Sequence, residues 1–190
     1  MEYEYKWAAR GPEDFKIFLA ALGARKRPQV KKIRDVYFDS ADKYYSKNKI
    51  SCRLRRENGK FILTLKGAAV IKNGLAARPE QNFALKSKTF PAAQKEMLEF
   101  LPDKKIKKVF TISNKRTVYK TGKNFEAEAD LDDFTINSGG KKRKMFEIEM
   151  EFKKGRKNIF KTSAQKISRR TKLKFAKISK VKTALSMLKK

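Results

Sequence analysis

The chain has 190 residues, of which 49 are lysine or arginine and 20 are aspartate or glutamate, so its formal charge at pH 7 is +29. Hydrophobic residues make up 40% of the sequence, which excludes a disordered basic tail and is enough for one domain with its own core. A single cysteine excludes a disulfide framework, and the absence of histidine removes the commonest general base. Any bound metal is therefore expected to have oxygen ligands.

The excess of positive charge indicates a polyanionic partner, such as nucleic acid, polyphosphate or an anionic membrane surface. No apolar run approaches the length of a membrane-spanning helix, and we expect a cytoplasmic protein with no membrane partner. From residue 153 to residue 190 there are 15 basic residues and no acidic ones. We interpret this segment as helical, with a basic surface that attracts nucleic acid or polyphosphate without specificity.

The first strand is predicted from strict alternation, in which Glu2, Glu4 and Lys6 share one face and aromatic residues share the other. A helix is then expected to begin at Gly11-Pro12 and to end at Gly23. We expect residues 25–32 to form a basic loop. The next strand, 33–40, carries Tyr37 and Asp39 on one face.

A β-hairpin is predicted from two alternating segments, 50–56 and 60–67, which are separated by an Asn-Gly turn. Arg53 and Arg55 share one face of its first arm, and Lys66 lies on the corresponding face of the second. A loop is expected over 68–77. The strand that follows carries Arg78, Glu80 and Asn82 on one face, and Pro79 places its beginning outside a regular ladder.

The second half of the chain contains a helix at 90–101 and three further strands, at 108–120, 125–134 and 144–153. The first of these strands carries Asn114 and Arg116 on its polar face. The other two have acidic polar faces, and the residues of these faces are Glu126, Glu128, Asp130, Glu147, Glu149 and Glu151.

These elements predict an α+β fold with eight strands and three or four helices that do not alternate regularly, which argues against a doubly wound parallel sheet. Nearly every strand has a charged face and a bulky apolar face. A closed, eight-stranded antiparallel barrel satisfies all of them, with a polar lumen and with helices packed against the apolar exterior. We expect residues 1–190 to form this one domain, including the basic segment 153–190.

The predicted lumen collects charges of both signs. Its carboxylates are Glu2, Glu4, Asp39, Glu80, Glu126, Glu128, Asp130, Glu147, Glu149 and Glu151, and its cations are Lys6, Arg53, Arg55, Lys66, Arg78 and Arg116. Burying so many unpaired charges would cost several kcal/mol each, so the lumen must be wet, ion-paired and occupied by metal. Clustered carboxylates suit a hard divalent cation, and arginine forks suit phosphate oxygens.

A simpler interpretation exists for each motif taken alone. One E-x-E pair on a strand is most often a solvated face, and Arg53 with Arg55 can equally be a surface patch. Three acidic strand faces together with two basic faces in one small domain favour the shared lumen instead. Cys52 and Trp7 lie on apolar faces and are interpreted as core residues.

In its ordered motifs the chain resembles the CYTH domain family, also called the triphosphate tunnel metalloenzymes. The motifs are the E-x-E-x-K opening at residues 2–6, Tyr37-Phe38-Asp39-Ser40, Arg53-Leu54-Arg55, Leu63-Thr64-Leu65-Lys66-Gly67, Arg78-x-Glu80, Lys115-Arg116, Glu128-x-Asp130, Glu147-Ile148-Glu149-Met150-Glu151 and Ser179-Lys180. The first motif is weak alone, but the ordered set spans nearly the whole chain. One departure is Asn82, at a position where many members have an acidic residue.

The resemblance implies an eight-stranded tunnel that binds triphosphate compounds together with Mg²⁺ or Mn²⁺. It implies metal ligation by Glu2, Glu4, Glu149 and Glu151, assisted by Glu128 and Asp130. The phosphate-binding residues would be Lys6, Arg53, Arg55, Lys66, Arg78, Arg116 and Lys180. Glu4, Lys6 and Glu149 are expected to be catalytic.

Family members include inorganic triphosphatases, thiamine triphosphatases, RNA 5′-triphosphatases and a class of adenylate cyclases. The leading hypothesis is therefore a metal-dependent hydrolase of inorganic tripolyphosphate, with ATP and thiamine triphosphate as further candidate substrates. An adenylate cyclase is the second hypothesis, because the same site for metal and phosphates could also act on ATP with a ribose hydroxyl as the nucleophile. The third is a non-catalytic module that binds polyphosphate or RNA, which the charge of +29 favours.

Overall fold

The fold was obtained as a computed structural model that describes residues 1–24, 27–102 and 105–188. The helices are α1 (Pro12–Leu22), α2 (Tyr44–Lys47), α3 (Phe90–Met97), α4 (Lys157–Thr171) and α5 (Lys180–Leu188), and a 3₁₀ turn at Leu98–Phe100 follows α3. The helix α1 begins after Gly11 with a proline in its first turn and ends at Gly23, as the sequence predicts. The four-residue α2 was not predicted.

The strands form one antiparallel sheet. They are β1 (Glu2–Ala9), β2 (Gln29–Ser40), β3 (Ser51–Glu57), β4 (Lys60–Lys66), β5 (Val70–Lys72), β6 (Leu75–Arg78), β7 (Glu80–Leu85), β8 (Ile106–Thr121), β9 (Phe125–Ser138) and β10 (Lys141–Gly155). Their order across the sheet is β5-β6-β1-β10-β9-β8-β2-β3-β4-β7. The prediction of an α+β fold with an antiparallel, strongly curved sheet is confirmed.

The expected count of eight strands in a closed ladder needs correction, because the sheet has ten strands and open ends. Residues 68–77, predicted as a loop, contain the hairpin β5–β6, whose turn places Asn73 and Gly74 at positive φ. Pro79 has no N–H to donate, and it separates β6 from β7 in what the sequence predicts as one strand. Since β6 pairs with β1 and β7 pairs with β4, the chain itself joins the two sides of the sheet at Pro79.

The boundaries of four other strands differ from the prediction. The strand β2 begins at Gln29, so the expected loop over 25–32 is wrong in its second half, and residues 25 and 26 lie outside the described residues. The strands β8, β9 and β10 are each longer than predicted.

Two hydrophobic cores cover the outside of the sheet. The helices α1 and α4 pack on β1, β9 and β10, where Trp7 is completely buried and Phe18 and Phe160 pack in the same cluster. The indole N–H of Trp7 donates to the hydroxyl of Ser168 in α4. On the other side α3 packs on β2, β3 and β4, with Cys52 in that core as expected. Burial raises the pKa of the Cys52 thiol to about 12.

The helix α5 is an exception to the predicted exterior helices, because it packs on the inner face of the sheet. Its residue Ala184 is buried against a cluster that includes Tyr37, Ile112, Phe134 and Ile136. Tyr37 and Ile112 also line the lumen beside charged residues, so this cluster and the charges share one face. The inner faces of β2, β8 and β9 become apolar at this end, and the hydrophobic effect therefore draws α5 inside.

In the part of the chain that the structure describes, no helix has both the length and the apolar character needed to cross a membrane.

The inward position of α5 can be tested with the variant Ile136→Ala. Ile136 is fully buried beneath α5, so its truncation should lower the free energy of unfolding by about 2–5 kcal/mol. Val30→Ala is the matched control on the exposed outer face, with an expected change within about 0.5 kcal/mol. Urea unfolding measures both. Equal stability of the two variants would show that α5 does not cover Ile136.

Candidate functional site

The inner face of the curved sheet encloses a cavity of about 120 Å³, lined mainly by charged side chains. Its walls include Glu2, Glu4, Lys6, Asp35, Tyr37, Arg53, Arg55, Lys66, Arg78, Glu80, Asn114, Arg116, Glu149, Glu151, Ser179 and Lys180. The structure thus brings together eleven of the thirteen residues predicted for the site. Of the other two, Asp130 contacts the group from behind and Glu128 lies outside it.

The first group of ion pairs joins β1 to β4 and β6. Glu2 accepts hydrogen bonds from the ammonium of Lys66 at 2.7 Å and from the guanidinium of Arg78. Arg78 also donates to Glu4. Burial opposes the ionisation of Glu2, but the charges of Lys66 and Arg78 outweigh it and lower its pKa to about 2. Glu2 is therefore ionised, and the carboxylates of both Glu2 and Glu4 are held by cations.

The second group centres on Arg116 of β8, which forks onto both oxygens of Asp132 at 2.7 and 2.6 Å. The same guanidinium donates to Asp130 and, at 2.7 Å, to Glu149. Lys180, the first residue of α5, reaches Asp132 and lies 3.0 Å from Glu149. The prediction that Lys180 turns toward the lumen is confirmed by these contacts.

Lys6 connects the two groups. Its ammonium donates to Glu149 and lies 3.2 Å from Glu4. Burial opposes the ionisation of Glu149, yet Lys180, Lys6 and Arg116 together hold its pKa well below the ordinary value. Glu149 therefore stands at the junction of three cations from three different elements.

The third group lies on β2 and β3. Asp35 accepts two hydrogen bonds from Arg55, at 2.8 and 2.9 Å, and lies 3.5 Å from Arg53. Arg53 donates to Thr64 at 3.2 Å, whereas its buried Nε has no hydrogen-bond partner among the described residues. Arg53 therefore lines the lumen with one buried donor left unsatisfied.

Besides Glu128, the acidic residues Asp39 and Glu126 were predicted to face the lumen and do not reach it. The carboxylate of Asp39 accepts hydrogen bonds from the backbone N–H groups of Ser40 and Tyr45, so it caps the turn at α2. The side chain of Glu126 is 64% exposed and pairs with Lys154 at 3.0 Å. Both residues keep the predicted alternation but lie beyond the ends of the lumen, where the strands emerge into solvent.

At one mouth of the lumen Lys153 stands between Glu128 and Glu151, at 3.3 and 2.8 Å. Burial raises the pKa of Glu151 above its ordinary value. At the side, Asn82 accepts a hydrogen bond from Thr64 at 2.7 Å and donates to Glu80 at 2.8 Å. The amide of Asn82 therefore orients Glu80, which also pairs with Lys66 at 2.9 Å.

No role was predicted for Asp35 or Asp132, although both are central to the ion pairs. The same alternation that placed other residues inward could have found them. Asp132 continues the face of Glu128 and Asp130 by one more step, and Asp35 precedes Tyr37 by two residues. Glu147 was placed inward correctly, but no role was predicted for it.

The residues most suitable for a divalent metal are Asp132, Glu147 and Glu149, each of which has an oxygen within 4.8 Å of the others. Burial and the neighbouring Glu149 raise the pKa of Glu147 to about 7, although Lys180 and Lys6 act against this. Burial likewise raises the pKa of Asp130 to about 7, and its Oδ1 has no hydrogen-bond partner among the described residues. Crowded buried carboxylates of this kind fit a hard cation, which would neutralise their charge.

A larger cleft of about 890 Å³ lies outside the lumen, between α1, α4 and the turn that joins β8 to β9. It is lined by Glu128, together with Glu126 from the exposed end of β9. Its remaining walls combine aliphatic side chains with lysines. The cluster of paired acidic and basic side chains therefore lies in the smaller lumen and not in this cleft.

Comparison with known proteins links this geometry to a family. The sequence model of the CYTH domain matches residues 1–185. An inorganic triphosphatase from Haemophilus influenzae is 32% identical to the chain over 126 residues, which are 64% of this chain and 36% of that protein. The chain therefore spans about a third of the length of that relative.

Solved structures show the same fold at lower sequence identity. A protein from Hippeastrum, described as a candidate adenylyl cyclase with a dominant triphosphatase activity, has a TM-score of 0.68 at 17% identity and covers 98% of this chain and 96% of its own. The PH1819 protein from Pyrococcus horikoshii has a TM-score of 0.67 at 22% identity, with 98% and 99% covered. The triphosphatase of a Mimivirus capping enzyme has a TM-score of 0.58 at 12% identity, with 90% and 89% covered.

The pairing of Asp35 with Arg53 and Arg55 predicts that Asp35→Asn lowers the free energy of unfolding at pH 7 by about 2 kcal/mol or more, because two buried guanidinium groups lose their counter-charge. Asp133→Asn is the matched control, since that side chain is 37% exposed on the outer face, and its expected effect is within about 0.5 kcal/mol. Urea titration decides between the two, and equal effects would contradict the structural role of Asp35.

The loss of stability in Asp35→Asn should also depend on pH. Burial opposes the ionisation of Asp35, but Arg53 and Arg55 outweigh it, so its pKa in the folded protein lies below the ordinary 3.8. The stabilisation by Asp35 is then fully present above pH 3.8 and is lost as the pH falls through the lower, folded-state pKa. The difference in stability between the parent protein and Asp35→Asn should narrow in that acidic range, and a difference independent of pH would contradict the ion pair.

Proposed function

The chain belongs to the CYTH domain family, and from that premise we propose that it hydrolyses triphosphate compounds, with inorganic tripolyphosphate as the first candidate substrate. One observation carries the proposal. Seven cationic side chains from six elements converge on a cavity of about 120 Å³, and these are Lys6, Arg53, Arg55, Lys66, Arg78, Arg116 and Lys180. A small, compact polyanion is the ligand that such a cavity fits.

In this proposal the lumen carboxylates hold the cations in place before substrate arrives. Arg55 and Arg116 are fixed by forked hydrogen bonds to Asp35 and Asp132, so their positions change little on binding. Arg53, which lines the same cavity, would donate from its guanidinium to phosphate oxygens. Preorganised charges of this kind stabilise the negative charge that develops during phosphoryl transfer.

The divalent cation expected for the family is assigned to the carboxylates at the junction of β9 and β10. Asp132, Glu147 and Glu149 form the tightest cluster, with Asp130 beside them, and Glu2, Glu4 and Glu151 complete the acidic part of the lumen. When bound, Mg²⁺ or Mn²⁺ would neutralise phosphate charge and polarise the substrate. Because histidine is absent, a lumen carboxylate is the group that accepts the proton of the attacking water.

The size of the cavity favours a linear triphosphate over a nucleotide. Sites for drug-sized ligands usually measure about 300–1,000 Å³, which is larger than this lumen. ATP and thiamine triphosphate therefore remain substrates only if their organic parts lie outside the mouth. The basic segment 153–190 is proposed to attract polyanions without specificity, in addition to this activity.

The test of the function is a substrate panel with Mg²⁺ or Mn²⁺. Metal-dependent release of phosphate from tripolyphosphate is the expected result. Cyclic AMP formed from ATP would indicate the cyclase instead. Binding of tripolyphosphate with no phosphate release under either metal would overturn the proposal and leave a binding module.

Replacing one lumen glutamate by glutamine removes its charge but keeps the size of the side chain, so it tests the charge alone. Glu149→Gln and Glu4→Gln should each lower turnover by about a hundredfold or more, with partial recovery at high Mn²⁺ concentration. Glu126→Gln removes the same charge from the exposed end of β9 and should leave turnover within about twofold, because Glu126 makes only a surface pair. Steady-state kinetics measures all three, and unchanged turnover in both lumen variants would contradict the proposed site.

Arginines on the two faces of β3 provide a second comparison. Arg53→Ala should lower turnover by about a hundredfold, and added metal should not restore it, since the lost group faces substrate. Arg56→Ala is the control, because Arg56 lies on the outer face beside Phe61 and not in the lumen. Equal losses in the two variants would show that the effect is one of net charge alone.

A further inference from the structure

A second basic surface lies on the outside of the barrel, on strands that contribute their inner faces to the lumen. We call it the outer wall and define it by Lys32, Arg34, Arg56, Lys115 and Lys144, together with Ser113 and Thr135. The five cations are all exposed, and the structure leaves this face uncovered between the cores beneath α3 and α4. None of them lines the lumen cavity.

The strand register makes the outer wall one continuous surface. Arg56 lies opposite Arg34, Arg34 opposite Ser113, Ser113 opposite Thr135 and Thr135 opposite Lys144. This row therefore crosses five neighbouring strands, which at about 4.8 Å per strand corresponds to roughly 19 Å. The adjacent row places Lys32 opposite Lys115 and Lys115 opposite Asp133.

Two features of these rows work against stability. Arg34 faces Arg56, and Lys32 faces Lys115, so like charges stand directly opposite each other on neighbouring strands, which is destabilising. Throughout the described part of the chain, no carboxylate lies within salt-bridge distance of Lys32, Arg34 or Lys115. The lumen, in contrast, pairs nearly every charge. A bound polyanion would relieve the repulsion on the outer wall.

We propose that the outer wall binds long-chain inorganic polyphosphate, independently of the proposed catalysis in the lumen. The wall presents ammonium, guanidinium and hydroxyl groups, which recognise phosphate oxygens. The rings that contact its cations are not exposed platforms for bases, because Phe61 beside Arg56 is buried and Phe146 is partly buried with the Lys144 ammonium 5.2 Å from its centre. Single-stranded nucleic acids are usually held by base stacking as well as charge, so a chain of phosphates without bases fits better.

The test compares the full chain with a triple variant, Lys32→Gln, Arg34→Gln and Lys115→Gln. Binding of long-chain polyphosphate is measured by titration between about 50 and 200 mM salt, because affinity for a polyanion changes strongly over this range. The variant should weaken binding by about tenfold or more. The slope of log affinity against log salt should become shallower by about two, because each phosphate that the variant no longer neutralises changes the slope by about 0.7.

The matched control is the triple variant Lys47→Gln, Lys88→Gln and Lys95→Gln, which removes the same charge from exposed positions on and beside α2 and α3, outside both the outer wall and the basic segment 153–190. It should change affinity by less than about threefold, since general attraction depends on net charge. Equal losses in the two triple variants would overturn the assignment to the outer wall. A single-stranded RNA that binds as tightly as polyphosphate and loses as much affinity in the wall variant would overturn the choice of ligand.

Two further readouts keep this proposal separate from folding and from the proposed function. Because the wall variant removes like-charge pairs, its melting temperature should equal or exceed that of the parent protein. Its hydrolysis of tripolyphosphate should be unchanged. If the wall variant loses both polyphosphate affinity and thermal stability, the wall residues have a structural role and the proposal is overturned. If the parent protein does not hydrolyse tripolyphosphate, only the proposed function is contradicted.

Discussion

The structure depends on the mutual neutralisation of charges on the inner face of its sheet. Glu2, Glu4, Asp132 and Glu149 are almost completely buried, and a buried carboxylate without a counter-charge costs several kcal/mol. Each of them is held by at least one lysine or arginine from another strand or helix. The ion pairs therefore act as the polar equivalent of a core, and they fix the strands that carry them relative to one another.

This arrangement also explains why the same residues suit a triphosphate. A carboxylate that holds an arginine can be replaced as its partner by a phosphate oxygen without a new rearrangement of the arginine. The carboxylates released in this way are those near which a divalent cation is expected. Hydrogen bonding around the lumen is incomplete at Arg53 Nε, Asp130 Oδ1 and Glu147 Oε1, which have no hydrogen-bond partner among the described residues. The anion-binding character of the lumen is in this sense present before any ligand binds.

Most of the site could be predicted from alternation alone, because period two decides which side chains share a face of a strand. Glu2, Arg53, Arg116 and Glu149 all point inward as that rule requires. Alternation does not, however, predict where along each strand the lumen ends. Asp39 and Glu126 follow the rule and still lie outside the lumen, since the strands extend beyond the enclosed part of the barrel. The split at Pro79 and the inward packing of α5 depend on tertiary contacts that no local pattern contains.

The two faces of β2, β3 and β8 follow opposite rules for charge. On the inner face Arg55 meets Asp35 and Arg116 meets Asp132, so the sequence places a carboxylate opposite nearly every cation. On the outer face Arg34 meets Arg56 and Lys32 meets Lys115. Among the described residues of these two rows there is one carboxylate, Asp133 opposite Lys115, and it lies 3.3 Å from the ammonium of Lys144, so the two like-charged pairs stay without a salt bridge. This contrast supports an outer wall whose positive charge is neutralised by a ligand from solvent. The lumen charges instead neutralise one another and bind a small substrate.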